Sequence, residues 1–566
     1  MEKAGWMRSR EEVLQQSPLP ESSRREGHKP YEKLLKDGVH PRERIIYRDP
    51  LTHKEVWRMT TDPAIERHIY YDIPAWNADG SLILFLSDRL GHKGYWLMDA
   101  DGSKIRPLDP KRKSGIKTAY WSTKNPHWLY FTRSGRKDTS ICRLDLESGE
   151  VQTLATVSGT GYRFAPPSAD EAKFLLDQPQ AKLILLVDAK SGSAKKIPMK
   201  LIVHRLRFTR AADYSIFYNG EIHQGYPHHS WVMDADGKNV RKISEFDHRH
   251  PDWSPDGQSL FFYAQKKMWV VDRQTAEHRV ILDLGAGGHG GWSQDGKWIV
   301  SDSTNRGRFP NQIFMVSAHG SGEVKSLCLH NASYVGWSAG HPDAESTHPA
   351  PVSSPDDTKV IFDSDMADIW ADVYVVVARR ADAPEKIKVE RKEKQTILRW
   401  ERPERSKELA GYNIYRTEKE RIVRLNDALL KEERFVDSAP PDETAEYAVT
   451  SVENCGLESS LPDDFASSLE TPQAPQGLEV EPQDAKEIRI SWQETSAPHF
   501  HHYNVYCGRQ PDFAPSREHL IASPTTNSFL DWGLKANTTY YYKVAAVDKW
   551  GNESAASAAA AANARD

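Results

Sequence analysis

Four histidines, with an arginine and a glutamate beside them, fall at matching places in a phrase that recurs along the chain. Each copy is an aromatic residue, a polar turn often reading S-x-D-G, and an alternating apolar strand; AWNADGSLILFLSD, DWSPDGQSLFFYA and GWSQDGKWIVSDS are three of seven. The position three before the aromatic anchor is Ile73, Thr118, Gly161, Arg205, His250, His289 and Ala350 in successive copies. His204 stands one residue ahead of Arg205, and His348 two ahead of Ala350 within ESTHPAP. Four consecutive copies thus offer His204/Arg205, His250, His289 and Glu345/His348. Imidazole nitrogen and carboxylate oxygen from neighbouring units suit a divalent metal such as Mn²⁺ or Zn²⁺. A neutral imidazole is also a general base, and Arg205 suits an acidic ligand. The plainer alternative is a set of unrelated polar residues lining a channel. With 22 histidines in 566 residues, so dense a column is uncommon by chance.

These residues need elements that bring them to one place. The repeat runs at about 45 residues, each unit carrying alternating strands joined by DG, SG and HG turns, which argues antiparallel sheet. Seven four-stranded units at that period read as an all-β, seven-bladed β-propeller over residues 45–384, whose innermost strands begin around one central channel. Trp76, Trp121, Phe164, Phe208, Trp253 and Trp292 are the anchors, read as packing between blades, and Ser353 takes that place in the seventh copy. The early strand EVWRMTTD (55–62) supplies the outer strand that the seventh unit lacks, closing the ring and removing free edges.

After residue 384 the pattern changes. TILRW, AGYNIYR and AEYAVTSVENCGLES recur as IRISW, HHYNVYC and TTYYYKVAAVDKWGNES. Early-strand Trp, a Tyr-bearing middle strand and a late Y-x-V strand are sandwich signatures. They resemble two fibronectin type III modules, 385–470 and 474–560, with Trp400 and Trp492 as core anchors and Tyr447 and Tyr540 as corner tyrosines. Such modules are expected to be spacers or docking platforms. The HFHHY cluster (499–503) reads as loop surface, the tail SAASAAAAANARD as a frayed end, and residues 1–44 as an N-terminal extension.

Composition excludes several classes. The formal charge is −5, from 75 Lys+Arg against 80 Asp+Glu, so no general nucleic-acid binder is expected. Mean hydropathy is −0.67 and no run approaches a membrane span. Four scattered Cys build neither a disulfide scaffold nor a CxxC site. The first forty residues hold no signal-like apolar core, which reads as a secreted or periplasmic bacterial enzyme whose signal is not in this chain, or as a cytoplasmic one. GWSAG (336–340) matches the nucleophile-elbow string, but Ser338 lies in a blade, with no room for a hydrolase domain before the first sandwich.

The stretches KEVWRMTTDPAIERHIYYDIPAWNADG, KLILLVDAKSG, HPDWSPDG and ESTHPAPVSSPDDTKVIFDSD resemble the oligogalacturonate lyases, seven-bladed propeller polysaccharide lyases, over roughly residues 45 to 380. The resemblance implies β-elimination on an acidic, uronate-containing oligo- or polysaccharide of the pectin type. It implies a divalent metal, typically Mn²⁺, held by a blade-five His and a blade-seven Q-x-x-H-x-H segment. Those positions map to His250 and to Glu345, His348 and Ala350. Glu for Gln keeps an oxygen ligand, whereas Ala350 removes one imidazole; His289 is the available replacement. The implied base is a blade-four His, for which His204 is the candidate although Arg205 holds the expected register. Arg205 and His289 are read as binding acidic sugar, and Lys182 is the nearest basic match to a family Arg on blade three. Two alternatives stay open: a TolB-like propeller binding an acidic glycan or protein without chemistry, and a lyase for a different uronate.

Overall fold

Period-two alternation of apolar residues, broken by glycine-bearing turns, leaves each segment one way to bury its apolar side: pairing into antiparallel sheet and stacking against the next sheet. The computed structural model describes residues 38–564 apart from 50, 53, 63, 110–115, 117, 224–225, 333–346, 368–370, 419–420, 443, 463–470, 485–486, 498–499, 517–518, 532–533 and 550–551. Among the described residues the fold is all-β, with a single 3₁₀ turn at Pro179–Ala181. It is a seven-bladed propeller followed by two fibronectin type III-like sandwiches.

Six blades are four-stranded sheets in simple meander order. Blade 5 is typical, running Arg249–Trp253, Ser259–Ala264, Lys267–Asp272 and His278–Asp283 from channel to rim. The anchors do pack between blades. Trp253 is fully buried against Phe217 of blade 4, ring centroids 5.5 Å apart. The indole of Trp121 donates to the Ala75 carbonyl of the blade before it, and that of Trp292 to the Asp252 carbonyl, each bond ending one residue ahead of the previous anchor. Losing such an indole costs about 3 to 5 kcal/mol by cavity formation.

The ring closes as the sequence predicts, with one strand more. Glu55–Arg58 pairs with Tyr374–Val376 of blade 7, and Ile45–Arg48 adds a fifth strand outside it. Blade 1 departs from the repeat. Its inner strand is Glu66–His68, where His68 faces Phe85, yet Trp76 already bridges to Ile83. Residues 69–75 therefore leave the ladder as an excursion, and Ile73 does not hold the strand-start position that the spacing gave it.

Each sandwich has two sheets. Trp400 and Trp492 are core residues stacked edge-on against Tyr412 and Tyr503. Two expectations change here. The tail is not frayed: Ala560–Ala564 pairs with Thr538–Tyr542, and Ala562 and Ala564 are buried, because alanine fits a sheet edge that leaves little room. His501 and His502 lie on the strand Phe500–Gly508, not a loop, with His501 Nε2 3.5 Å from Glu55 Oε1.

Candidate functional site

Four of the inner strands start with a shared backbone device. Gly161, Arg205, His250 and Ala350, each three residues before its anchor, all have left-handed φ: 75°, 45°, 52° and 46°. In blades 4 and 5 the ladder shifts register at this point, between His204 and Arg207 and between Arg249 and Asp252. Such a bulge re-aims a side chain out of the alternation. Here it turns Arg205 and His250 toward the mouth of the channel.

Three imidazoles meet there. The ring of His250 lies 4.1 Å from that of His289, and His289 lies 4.9 Å from His348, centroid to centroid. All three line one cavity of about 540 Å³ between blades 5, 6 and 7, with Tyr70 and Arg306 on its walls. Two of the rings are oriented from behind. His250 Nδ1 donates to the Gly288 carbonyl at 2.7 Å, and His289 Nδ1 to Asp302 Oδ2 at 3.1 Å, which leaves each Nε2 outward. This is the arrangement that fixes metal-binding and basic imidazoles. Gly288 must lack a side chain, since a Cβ there would stand 2.2 Å from the Asp302 carbonyl oxygen. Burial, then the neighbouring His289 and Arg205, hold His250 well below the usual imidazole range, so it is neutral at neutral pH. Burial pulls the Asp302 carboxyl upward, but His289 beside it prevails and holds it below the ordinary value.

Arg205 joins this group from blade 4. Its Nη1 donates to the Tyr71 hydroxyl at 2.7 Å, and Tyr71 packs 5.3 Å from His250. Arg207 behind it pairs with Asp72 and stands 3.5 Å from Asp252. His204 is not among the residues lining the imidazole cavity; it is half-buried, with Arg163 and Arg205 as charged neighbours. Burial first, then those two arginines, lower its pKa, keeping it neutral. Lys182 sits on the exposed turn between the middle strands of blade 3, its Nζ 3.3 Å from the Lys200 carbonyl, also outside the cavity lining. Glu345 and Ser338 lie outside the described residues.

Tyr70, Tyr71 and Asp302 are not among the residues that the sequence pattern singles out. The tyrosines sit on the blade 1 excursion, signalled only by the overlong spacing between Glu66 and Trp76. Asp302 ends an otherwise apolar strand, Trp298–Asp302, a weak cue for a buried carboxylate.

For a metal, the donor chemistry fits in part. Two imidazoles carry the carbonyl and carboxylate supports that ligands need, and His348 adjoins them. Among the described residues, however, no group of three His, Cys, Asp or Glu is spaced to hold an ion. Ala350 contributes only a methyl group.

The turns at the two ends of the blades differ in charge. On the cavity side, the turns between second and third strands carry Lys93, Arg136, Lys182, Lys266 and Arg306. On the opposite side, the turns after the anchors carry Asp79, Asp170, Asp256, Asp295 and Asp356. The small net charge thus conceals a basic face around the cavity, which attracts anions.

Comparison with known proteins adds the following. Residues 473–561 match the fibronectin type III domain model. The chain is 24% identical over 375 residues to an oligogalacturonate lyase of Dickeya dadantii (strain 3937), covering 56% of this chain and 92% of that protein. It is equally similar to an oligogalacturonide lyase of Pectobacterium atrosepticum. A solved structure described as oligogalacturonate lyase in complex with manganese superposes with a TM-score of 0.51 at 21% identity, over 60% of this chain and 97% of that one. At that identity the superposition speaks to the fold.

Proposed function

We propose that the protein is a lyase that cleaves an acidic, uronate-containing oligosaccharide of the pectin type by β-elimination. The observation that carries this reading is the group of imidazoles of His250, His289 and His348, the first two supported from behind, at the centre of a basic face. The sequence relatives named as oligogalacturonate and oligogalacturonide lyases support the same class.

In β-elimination the C5 proton, α to the uronate carboxylate, is removed and the glycosidic oxygen at C4 leaves with the bonding pair. The proton is weakly acidic, so the carboxylate must be paired with positive charge while the enolate develops. Arg205, fixed by Tyr71, is the proposed cation for that pairing. His204 is the proposed proton acceptor, neutral because burial and two arginines disfavour its protonated form. A divalent metal, Mn²⁺ for instance, would be held by His250, His289 and His348 with Glu345, and would supply Lewis-acid charge to the carboxylate when bound. Lys182 extends the basic rim on blade 3.

The test is incubation with saturated oligogalacturonates and a panel of other uronate polymers, with and without added Mn²⁺, followed by ultraviolet absorbance of the unsaturated product. Product from at least one uronate is expected, and its loss in His250→Ala. Binding without product on every uronate would replace the lyase reading with that of a glycan-binding propeller.

A further inference from the structure

The elimination needs an acid as well as a base. The glycosidic oxygen is a poor leaving group as an alkoxide, so a proton must reach it as the C4–O bond breaks. In the two imidazoles supported from behind, the Nδ1–H is already spent, on Gly288 O and Asp302 Oδ2. The Tyr263 hydroxyl on the same cavity wall is spent as well, on the His289 carbonyl at 3.0 Å.

Tyr70 is placed differently. It lies on the blade 1 excursion, where its carbonyl accepts the Ile73 N–H at 3.1 Å in a tight turn. Its ring lines the imidazole cavity and meets His289 and His250 edge-on, with centroids 5.7 and 6.4 Å away. The neighbouring Tyr71 ring, 4.7 Å away, is buried, and its hydroxyl is engaged by the Arg205 guanidinium at 2.7 Å and lies 3.3 Å from the Pro251 carbonyl. The Tyr70 side chain stays half-buried, and Arg205 is a hydrogen-bonding neighbour of its hydroxyl too. One turn thus gives Arg205 two phenols, of which Tyr71 fixes the guanidinium and Tyr70 faces the cavity.

The chemistry of a uronate makes that placement specific. The carboxylate carbon, C5, C4 and the leaving oxygen are consecutive atoms. A hydroxyl that adjoins the cation pairing the carboxylate is therefore close to the leaving oxygen. A phenol, with an ordinary pKa of about 10, holds its proton at neutral pH and is a stronger acid than the sugar alcohol that departs. The adjoining guanidinium favours the phenolate that remains.

We propose that Tyr70 is the general acid of the elimination, giving its hydroxyl proton to the glycosidic oxygen at C4. The inference rests on the lyase reading and completes it. His204 takes the C5 proton, and the C5–H pair becomes the second bond between C4 and C5. The C4–O pair stays with the leaving oxygen, which takes the Tyr70 proton and departs as a hydroxyl. Tyr70 phenolate and protonated His204 then return to their starting states by proton exchange with water.

The experiment compares the full-length wild type with Tyr70→Phe and Tyr71→Phe on two substrates. One is saturated trigalacturonate; the other is a galacturonate carrying a dinitrophenyl ether at C4, whose leaving group needs no proton. Tyr70→Phe keeps the ring and its packing, and an unchanged melting temperature checks the fold. On trigalacturonate it is expected to lower kcat about 100- to 10,000-fold with KM little changed, and on the ether by less than about tenfold. The wild type should show a solvent deuterium isotope effect on trigalacturonate turnover that Tyr70→Phe loses. Tyr71→Phe frees Arg205 and should slow both substrates alike. If Tyr70→Phe also slows both alike, retains the isotope effect, or cleaves trigalacturonate as fast as wild type, Tyr70 is not the acid. Wild-type product in that case leaves the lyase reading standing, with Lys266 or water as the proton source. No product from the wild type on either substrate removes the lyase reading and the acid with it.

Discussion

At the scale of single residues, what distinguishes the cluster from ordinary channel-lining histidines is the atom behind each ring. His250 and His289 each spend Nδ1–H on a fixed acceptor, Gly288 O and Asp302 Oδ2. Both rings are thereby locked in one tautomer with Nε2 outward, whether the partner is a cation or a proton. Asp302 also accepts the backbone N–H of His289 and, at 3.2 Å, that of Ala350, so one buried carboxylate ties the strand starts of blades 6 and 7 together. Asp302→Asn keeps the shape and removes the charge. We expect it to lower activity, and the binding of added Mn²⁺, about 10- to 100-fold, as loss of a supporting partner does. Kinetics and metal titration of the folded variant check this, and unchanged values in both would separate Asp302 from the site. His250 and His289 were legible because each stands three residues before an aromatic anchor, and His348 because it lies two residues ahead of the matching place in blade 7. His204, one residue out of register, does not line the cavity. The supports of His250 and His289 were not legible, because a carbonyl leaves no mark on a sequence and Asp302 belongs to a different strand.

At the scale of elements, the anchors, the meander blades and the closing strand Glu55–Arg58 follow from residue order alone, since each is a local pattern of alternation and turn chemistry. The excursion at 69–75 does not. It breaks the repeat at one point, and its position becomes visible only when His68 is paired with Phe85 and Trp76 with Ile83. The segment leading into it holds a further consequence. Arg89 makes double contacts to Glu43, at 2.6 and 3.0 Å, and to Glu66, both at 2.7 Å. Asp62, a third buried carboxylate, reaches only to 3.9 Å from the same guanidinium. Burial, opposed by Arg89 and reinforced by Glu66 and Glu43, raises the Asp62 pKa to about 8. A carboxyl raised in the folded state holds its proton while the unfolded chain releases it near the ordinary value of about 4. Folding stability then falls as pH rises through the window between those values. Asp62→Asn removes that slope. Relative to wild type, the variant is expected to gain about 1 to 3 kcal/mol between pH 5 and pH 8, read by denaturant unfolding at both. An identical pH dependence in the two proteins would mean that Asp62 is ionised throughout.

At the scale of the whole molecule, the fibronectin-like modules are not spacers trailing from the propeller. They sit on its acidic side and on its seam, leaving the basic face open. Lys359 of blade 7, only 1% exposed, places its Nζ 2.6 Å from Glu408 and in contact with Glu453, both from the first module. The Asp356 carboxylate accepts the backbone N–H groups of Lys407 and Glu408 at 3.1 and 2.9 Å. Cys455 and Leu457 complete the apolar cluster of Trp76, Ile83 and Met98 between blades 7 and 1. The second module reaches the outermost closing strand, where Ile46 N–H donates to the Ser523 carbonyl at 3.1 Å. Both modules therefore hold the place where the ring is closed by N-terminal strands, the one joint of a propeller that chain connectivity does not secure. This was illegible in the sequence because Glu408, Glu453 and Cys455 are unremarkable loop and strand residues of a sandwich until the propeller is set against them. Removing one partner of a buried ion pair strands the others, at about 3 to 5 kcal/mol, whereas replacing the whole group by apolar residues is often neutral. Lys359→Met should thus lower the melting temperature of the full chain sharply, and Lys359→Met combined with Glu408→Met and Glu453→Met should recover most of it. Activity per folded molecule should stay unchanged in both, because the site opens on the opposite face. A single variant as stable as wild type would show that the modules rest on the propeller without clamping it. A folded single variant with lost activity would show instead that the seam governs the site across the ring.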